Sequence, residues 1–477
     1  MEENIIGRNR EKQQLRNIYE SDRSEFLAIY GRRRVGKTFL IRQFFENSII
    51  FQTSGMANTG MKEQIKHFYQ DICRYDKRNE TRTKQPKDWQ DVFFLLNDYI
   101  ESLPEGRKVI FLDELPWMDT PGSQFISALE AFWNSWMSNR NDVVLIVCGS
   151  ATSWMMDNLI RNHGGLYGRL TRRIFLNPFT LGEVEIFLAK KGFSLSRYEI
   201  AEYYMIMGGI PYYLQFLNPR YSLTQNIDQL LFQPNGELYD EFSMLYAALF
   251  RNSGDYIKVV EALSQKGYGM TRKEISEVTS LKSGSVLSQT LSNLEDCGFI
   301  RKYENFDHPS QNSIYQLVDF FTLFYFRFLS QSSTHHIMHW EAIHKNGQYY
   351  AWAGFSFELL ALQHIDQIKD ALRISGVFSN NYSWRNEKTQ IDLIINREDN
   401  TVNICEMKFS ENQYSIDGDY ANRLKNKIDT FKTYSKLKNK SVQLTMVTTY
   451  GIVHNSHSNI IQNEVTLNDF FTELRYQ

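Results

Sequence analysis

At 477 residues, with 42% apolar and 14% aromatic side chains, the chain has the composition of a globular protein and the length of about three domains. Its 53 basic and 55 acidic residues leave a net charge of −2, which excludes an overall basic nucleic-acid binder and confines any such contact to local patches. Cys73, Cys148, Cys297 and Cys405 stand apart with no C-x-x-C pair, as in a reducing compartment without a zinc site, and neither a signal-peptide core nor a run of about 18 apolar residues occurs, so a cytoplasmic protein without membrane contact is expected.

Ile5-Ile6-Gly7-Arg8 leads into a helix-like stretch, Glu11 to Tyr19, placed to close over a nucleotide base. Phe26 to Tyr30 is a short apolar run that reads as a buried parallel strand, and Phe39, Leu40, Ile41, Phe44 and Phe45 recur at helical spacing. Between them Gly31-Arg32-Arg33-Arg34-Val35-Gly36-Lys37-Thr38 fits G-x-x-x-x-G-K-[ST]. A strand–loop–helix of this kind closes backbone N–H groups around the polyphosphate of a nucleotide; Lys37 reaches the β/γ-phosphates and Thr38 can ligate Mg²⁺. Val109-Ile110-Phe111-Leu112 is a second buried strand ending in Asp113-Glu114. Its edge position assigns Asp113 to the Mg²⁺ shell and Glu114 to orienting the attacking water. Val143 to Val147 leads to Cys148-Gly149-Ser150, which makes Ser150 a γ-phosphate sensor candidate. In Tyr167-Gly168-Arg169-Leu170-Thr171-Arg172-Arg173, Arg169 is either a γ-phosphate contact or a surface arginine.

The ordered series GRRRVGKT, VIFLDE, FWNSW, VCGS, YGRLTRR and Gly208-Gly209-Ile210-Pro211-Tyr212 resembles the archaeal/bacterial ATPase family of the AAA+/STAND P-loop assemblage, over roughly the first 215 residues. Ser150 in place of asparagine, and Gly-Gly-x-Pro where an arginine sensor is usual, resemble the STAND branch and imply a slowly cycling switch as readily as a motor.

Leu181 to Lys190 and Tyr198 to Met207 read as helices of a small lid, broken at Gly208-Gly209, where backbone either approaches the nucleotide or makes a plain turn. From 255 to 303, helices at Ile257–Leu263, Arg272–Val278 and Val286–Leu294 precede a strand at Gly298–Tyr303 and resemble a winged helix-turn-helix. It is either a DNA-binding module, whose phosphate contacts fall to Arg272, Lys273, Arg301 and Lys302 because Lys282 is the one cation near the third helix's start and Glu295 and Asp296 sit at its end, or a spacer or protein-docking module. The aromatic run Tyr315 to Phe328 covers all sides of a helix and reads as core, while His335 and His339 lack a third metal ligand.

Near the C-terminus, Ile391–Ile395 and Thr401–Lys408 form a hairpin pattern. With a symmetric turn Ile395 pairs with Thr401, and Asp392, Glu406 and Lys408 share one face, the two acids being diagonal neighbours about 7–8 Å apart. Asp392 and Glu406 then suit Mg²⁺, and Lys408 a water attacking a phosphodiester. Glu358 lies on an apolar helix side with Ala361, Leu362 and Ile365, where a metal-site contact explains it. Glu358, Asp392 and Glu406-x-Lys408 are similar to the PD-(D/E)XK nuclease superfamily, and their place after an ATPase, lid and winged helix matches the ATPase family's C-terminal domain of unknown function. A basic stretch follows, Arg423, Lys425, Lys427, Lys432, Lys436, Lys438 and Lys440, that either tracks a phosphate backbone or is simply solvated.

The expected fold class is α/β. A P-loop ATPase core (1–178) is followed by a helical lid (179–250), a winged helix (251–305), a helical linker (306–345) and a nuclease-like α/β domain (346–477). The expected function is an ATP-binding and ATP-hydrolysing, Mg²⁺-dependent switch coupled to a DNA-facing winged helix and a Mg²⁺-dependent nuclease-like domain, with DNA and further copies of itself as partners. Alternatives are a nucleotide-regulated DNA-binding or scaffold protein with an inactive nuclease-like domain, and a chaperone-like ATPase acting on protein.

Overall fold

In the computed structural model the described residues are 4–78, 85–161, 164–166, 168–250, 252–303, 313–330, 339–385, 389–435 and 440–474. The chain divides into two compact units, Met1–Pro178 and Phe179–Gln477.

Five parallel strands organise the first unit: β1 (Glu25–Tyr30), β2 (Ile49–Ser54), β3 (Lys108–Asp113), β4 (Val143–Gly149) and β5 (Arg172–Phe175), in the order β2-β3-β4-β1-β5. Every residue of β3 and β4 is buried, which explains their unbroken apolar runs: a central parallel strand is covered on both faces. Helices Met61–Tyr75, Trp89–Glu101 and Phe125–Ser135 set Phe68, Trp89, Phe93 and Phe132 against Phe26, Phe51 and Ile110. Asp88 caps the second of these helices by accepting a hydrogen bond from the Asp91 backbone N–H. Trp89 is fully enclosed, so Trp89→Ala would cost about 3–5 kcal/mol. Because the strands are parallel, β1, β3 and β4 all end on one edge of the sheet, and Gly31, Asp113 and Ser150 are delivered there.

In the second unit, helices Leu181–Lys190 and Arg197–Met207 both begin with capping boxes, Thr180 with Glu183 and Ser196 with Glu199. Their buried faces pack on the helix Gly347–Gln363: Glu202 pairs with His344 (2.9 Å) and accepts from the Tyr349 hydroxyl, and the Leu181 N–H donates to His364 Nε2 at 3.2 Å. Gly208 and Gly209 are both left-handed, and a Cβ on Gly209 would lie 2.4 Å from the Phe179 carbonyl oxygen. The close approach that this glycine pair permits is therefore onto Phe179 and Tyr204 of the same unit.

Next come helices Ser253–Ser264, Arg272–Thr279 and Ser285–Asp296, and a small antiparallel sheet of β6 (Met270–Thr271), β7 (Ile300–Tyr303) and β8 (Ile314–Leu317) in the order β6-β8-β7. Phe320, Phe321, Phe324 and Phe328 are buried, so the aromatic run is core. Of the two histidines considered as a metal pair, His335 lies outside the described residues.

The last sheet contains β9 (Ser379–Arg385), β10 (Gln390–Arg397), β11 (Thr401–Lys408), β13 (Ser441–Thr448) and β15 (Asn463–Thr466), ordered β15-β13-β11-β10-β9. The β9-β10-β11 part is antiparallel and β11-β13-β15 is parallel; β12 (Tyr414–Ser415) and β14 (Ile452–Val453) pair separately. Helix Gly418–Tyr434 buries Ala421, Leu424 and Phe431 in a cluster with Trp384, Ile394 and Ile404.

The hairpin register departs from the symmetric turn. Ile395 pairs with Asn403 and Leu393 with Cys405, a shift of two residues. The connection is three residues, 398–400, with Asn400 left-handed (φ 61°), the usual closure of a three-residue hairpin loop. A two-residue shift keeps every side chain on its expected face, and continuing the register sets Asp392 directly across from Glu406 rather than diagonal to it.

Candidate functional site

At the edge of the first sheet, Gly31 takes φ +129°, and a Cβ there would meet the Leu176 carbonyl oxygen at 2.6 Å, so only glycine fits. Arg34 (φ 73°) and Gly36 (φ 91°) are left-handed and turn the loop onto the helix Lys37–Phe44. The buried Lys37 ammonium is folded back onto its own loop, donating to the carbonyls of Gly31 (2.9 Å) and Arg32 (2.8 Å). Arg32 and Val35 are buried, Arg33 is partly exposed, and Arg8 reaches the Val35 carbonyl at 3.4 Å. Arg8 was not foreseen as a support of this loop; its contact joins residues far apart in sequence.

The structure brings the other predicted groups together. The Thr38 hydroxyl donates to Asp113 Oδ2 at 2.8 Å, setting two oxygen donors side by side as a hard dication requires. Glu114 is left-handed (φ 46°), and its carboxylate accepts from the Ser150 hydroxyl (2.9 Å) and backbone N–H (3.3 Å). Ser150 is thus engaged with Glu114, an arrangement that fixes the carboxylate. Arg169 is exposed in the turn before β5, and among the described residues its side chain joins neither the Lys37 nor the Asp113–Glu114 contacts; Tyr167 lies outside the described residues.

A second constellation occupies the C-terminal sheet. The buried Glu406 carboxylate is held by three donors: Lys427 (2.6 Å), the Tyr420 hydroxyl (2.8 Å) and Lys408 (3.0 Å). Burial alone would raise its pKa, but the two ammonium groups outweigh that and hold it below the ordinary value. Glu406 likewise raises Lys408 against the opposing effect of burial. For Glu358 and Asp392 the same lysines compensate less than burial and the neighbouring acids cost. Burial and then the Asp392 charge push Glu358 up to about 8, and burial followed by the Glu406 charge raises Asp392, although Gln390 donates to it.

Two expectations are corrected here. Glu358, Asp392 and Glu406 do not close into a three-carboxylate cluster: among the described residues no three His, Cys, Asp or Glu side chains converge closely enough to hold a metal ion. The physical reason is the pull of Lys408, Lys427 and Tyr420 on Glu406. The donor chemistry still suits a dication, because Asp392 and Glu358 are buried oxygen acids whose mutual repulsion Lys408 and Lys427 only partly offset and a cation would relieve. The basic stretch also divides. Lys427 turns inward to Glu406 and Lys440 binds Asn396 Oδ1 at 2.6 Å, leaving Arg423, Lys425 and Lys432 exposed; Lys436 and Lys438 lie outside the described residues. Tyr420 was missed by sequence reasoning. Its signal is the helical spacing Tyr420, Leu424, Lys427 and Phe431, which puts a lysine on the core face.

Comparison with known proteins matches the first domain to an ATPase family. Residues 6–217 match the family described as an ATPase domain predominantly from Archaea. An uncharacterized protein of Methanocaldococcus jannaschii is 26% identical over 414 residues, covering 85% of this chain and 88% of its own length. An uncharacterized ATP-binding protein of the same organism is 39% identical over 50 residues, 10% of this chain and 85% of the relative. Among solved structures, a Walker-type ATPase of Pyrococcus abyssi aligns with a TM-score of 0.49 at 21% identity, over 68% of this chain and 97% of its own. The ORC2 protein of Aeropyrum pernix aligns with a TM-score of 0.40 at 14% identity, over 67% and 92%. The chain therefore carries an archaeal-type ATPase domain over residues 6–217.

Proposed function

We propose that this ATPase is an ATP-driven switch whose second unit carries a dication-dependent site for cutting nucleic acid, on a PD-(D/E)XK-like sheet beside a winged helix. In the first unit, Lys37 exchanges its loop carbonyls for the β/γ-phosphates. Thr38 and Asp113 would hold Mg²⁺, and Glu114, steadied by Ser150, orients the attacking water. In the second unit, Asp392 and Glu358 would hold a dication that supplies Lewis-acid stabilisation of phosphoryl charge, while Glu406 anchors Lys408 across from Asp392. Lys408, anchored on Glu406, positions the water that attacks a phosphodiester. The three helices and the β6-β8-β7 sheet form the winged helix in this reading, and its exposed Lys273, Lys282 and Lys302 are the side chains left for duplex phosphates.

One observation carries the second assignment: the β10–β11 register sets Asp392 across from Glu406, with Lys408 bonded to Glu406 on the same face. The test is Mn²⁺-dependent cleavage of single- and double-stranded DNA and of RNA by the wild type, Asp392→Asn and Lys408→Ala. The expected result is cleavage lost in both variants, with ATP hydrolysis retained in both and abolished in Lys37→Ala. A wild type that cuts none of these substrates would overturn the assignment. It would favour a second reading, a nucleotide-regulated scaffold, which the neutralisation of Glu406 by two lysines supports.

A further inference from the structure

We propose that Arg301, on β7 of the three-helix module, belongs to the acidic site of the C-terminal sheet and there takes a phosphate oxygen of the bound strand. The inference rests on the nucleic-acid reading above and supplies a residue of that site that lies outside its sheet.

Arg301 and Tyr303 from the module share one cavity of about 20 Å³ with Glu358, Arg385 and Asp392 from the C-terminal region. Arg301 is partly buried and firmly held. Its Nε donates to Gln316 Oε1 at 2.7 Å, and its guanidinium carbon lies 4.9 Å from the Tyr303 ring centre. Gln316 is anchored in turn on the Gly267 carbonyl at 2.6 Å, and the Tyr303 hydroxyl on the Tyr268 carbonyl at 2.6 Å. Arg385 stacks at 4.6 Å on the Tyr268 ring. This geometry replaces the sequence expectation that Arg301 contacts duplex phosphates from an open wing; Lys302, its exposed neighbour, remains free for that.

The arginines and acids line the same gap without pairing: among the described residues neither Arg301 nor Arg385 forms an ion pair with Glu358 or Asp392. Guanidinium carries five N–H donors in a planar fork, and Gln316 takes one of Arg301's. Acids that favour a cation, facing a fork that favours an anion, are the two walls a cation-bound phosphate needs. The gap is too small for a base, so the contact is blind to sequence.

The test uses the full chain and a fluorescein-labelled single-stranded DNA, with anisotropy read in Ca²⁺ across a salt series. Arg301→Met is expected to weaken binding about tenfold and to lower the salt slope by about one, with Arg301→Lys recovering part of the loss. Thermal midpoints establish that the variants fold. Should Arg301→Met unfold, Gln316→Leu, which frees the guanidinium from its anchor, is expected to weaken binding about threefold. Unchanged affinity and slope overturn the proposal, as does tighter binding, which would mark Arg301 as a plug competing with the cation. Failure to bind DNA at all overturns it too. Arg301-dependent binding without cleavage by the wild type would remove the cutting reading and leave this contact standing; cleavage and binding indifferent to Arg301→Met would do the reverse.

Discussion

The acid at the end of β3 and the acids facing each other on β10 and β11 are held in opposite ways. Asp113 meets a neutral hydroxyl, and the neighbouring Lys37 is satisfied by main-chain carbonyls, so that site is a backbone shape with few side-chain debts. Glu406 sits between two ammonium groups and a phenol, while Asp392 and Glu358 make no ion pair among the described residues and are only partly offset by the same lysines. The first arrangement can be written in eight consecutive residues. The second draws side chains from helix Gly347–Gln363, β10, β11 and helix Gly418–Tyr434, and it is stable only while their charges balance.

The largest way to sharpen that contrast is at Glu114. Glu114→Gln keeps the shape of the first site and removes one charge; hydrolysis should fall about 10²–10³-fold with ATP affinity within about twofold, read by steady-state turnover and nucleotide titration. A parallel loss of affinity would show that Glu114 binds nucleotide rather than orienting water. Removing the charge at the second site should instead be felt in stability. Glu406→Ala leaves Lys408, Lys427 and Tyr420 without their acceptor and should cost about 3–5 kcal/mol in urea unfolding, with Glu406→Gln markedly milder.

Somewhat smaller is the effect of acid on His364, which is buried, donates from Nδ1 to the Leu360 carbonyl (2.8 Å) and accepts the Leu181 N–H on Nε2. Burial lowers its pKa to about 4 from an ordinary 6.5. The unfolded chain therefore binds the extra proton between those values. Its stabilising effect is complete above pH 6.5 and is lost as pH falls toward 4, by about 3 kcal/mol in total. Denaturation of the wild type and His364→Gln from pH 7 to 5 should show the slope reduced in the variant. The smallest effect is expected at Ser150: Ser150→Ala frees Glu114 of one hydrogen bond and should slow hydrolysis about tenfold without changing ATP affinity. No change in rate would make Ser150 a packing residue.

Legibility in the sequence follows the same division. Gly31 to Thr38 and Asp113-Glu114 are contiguous and flanked by unmistakable buried strands, so local chemistry locates them. On the hairpin, side-chain alternation placed Asp392, Glu406 and Lys408 on one face, but the left-handed Asn400 moved the register by two and turned a diagonal pair into a facing one. Lys427 was visible only as part of a basic stretch; its place among Leu424 and Phe431 on the buried side decides its role. Arg301 could not be read at all as a neighbour of Asp392, because nothing local encodes the packing of β7 against the C-terminal sheet. Ser150 was predicted to face phosphate and is bonded to Glu114, a contact between the ends of two strands.

The most direct test of two separate acidic sites is Mn²⁺ binding without nucleotide, followed by electron paramagnetic resonance. A nucleotide-independent Mn²⁺ that Asp392→Asn removes and Lys37→Ala leaves in place is expected. No such ion, or one indifferent to Asp392→Asn, would contradict it.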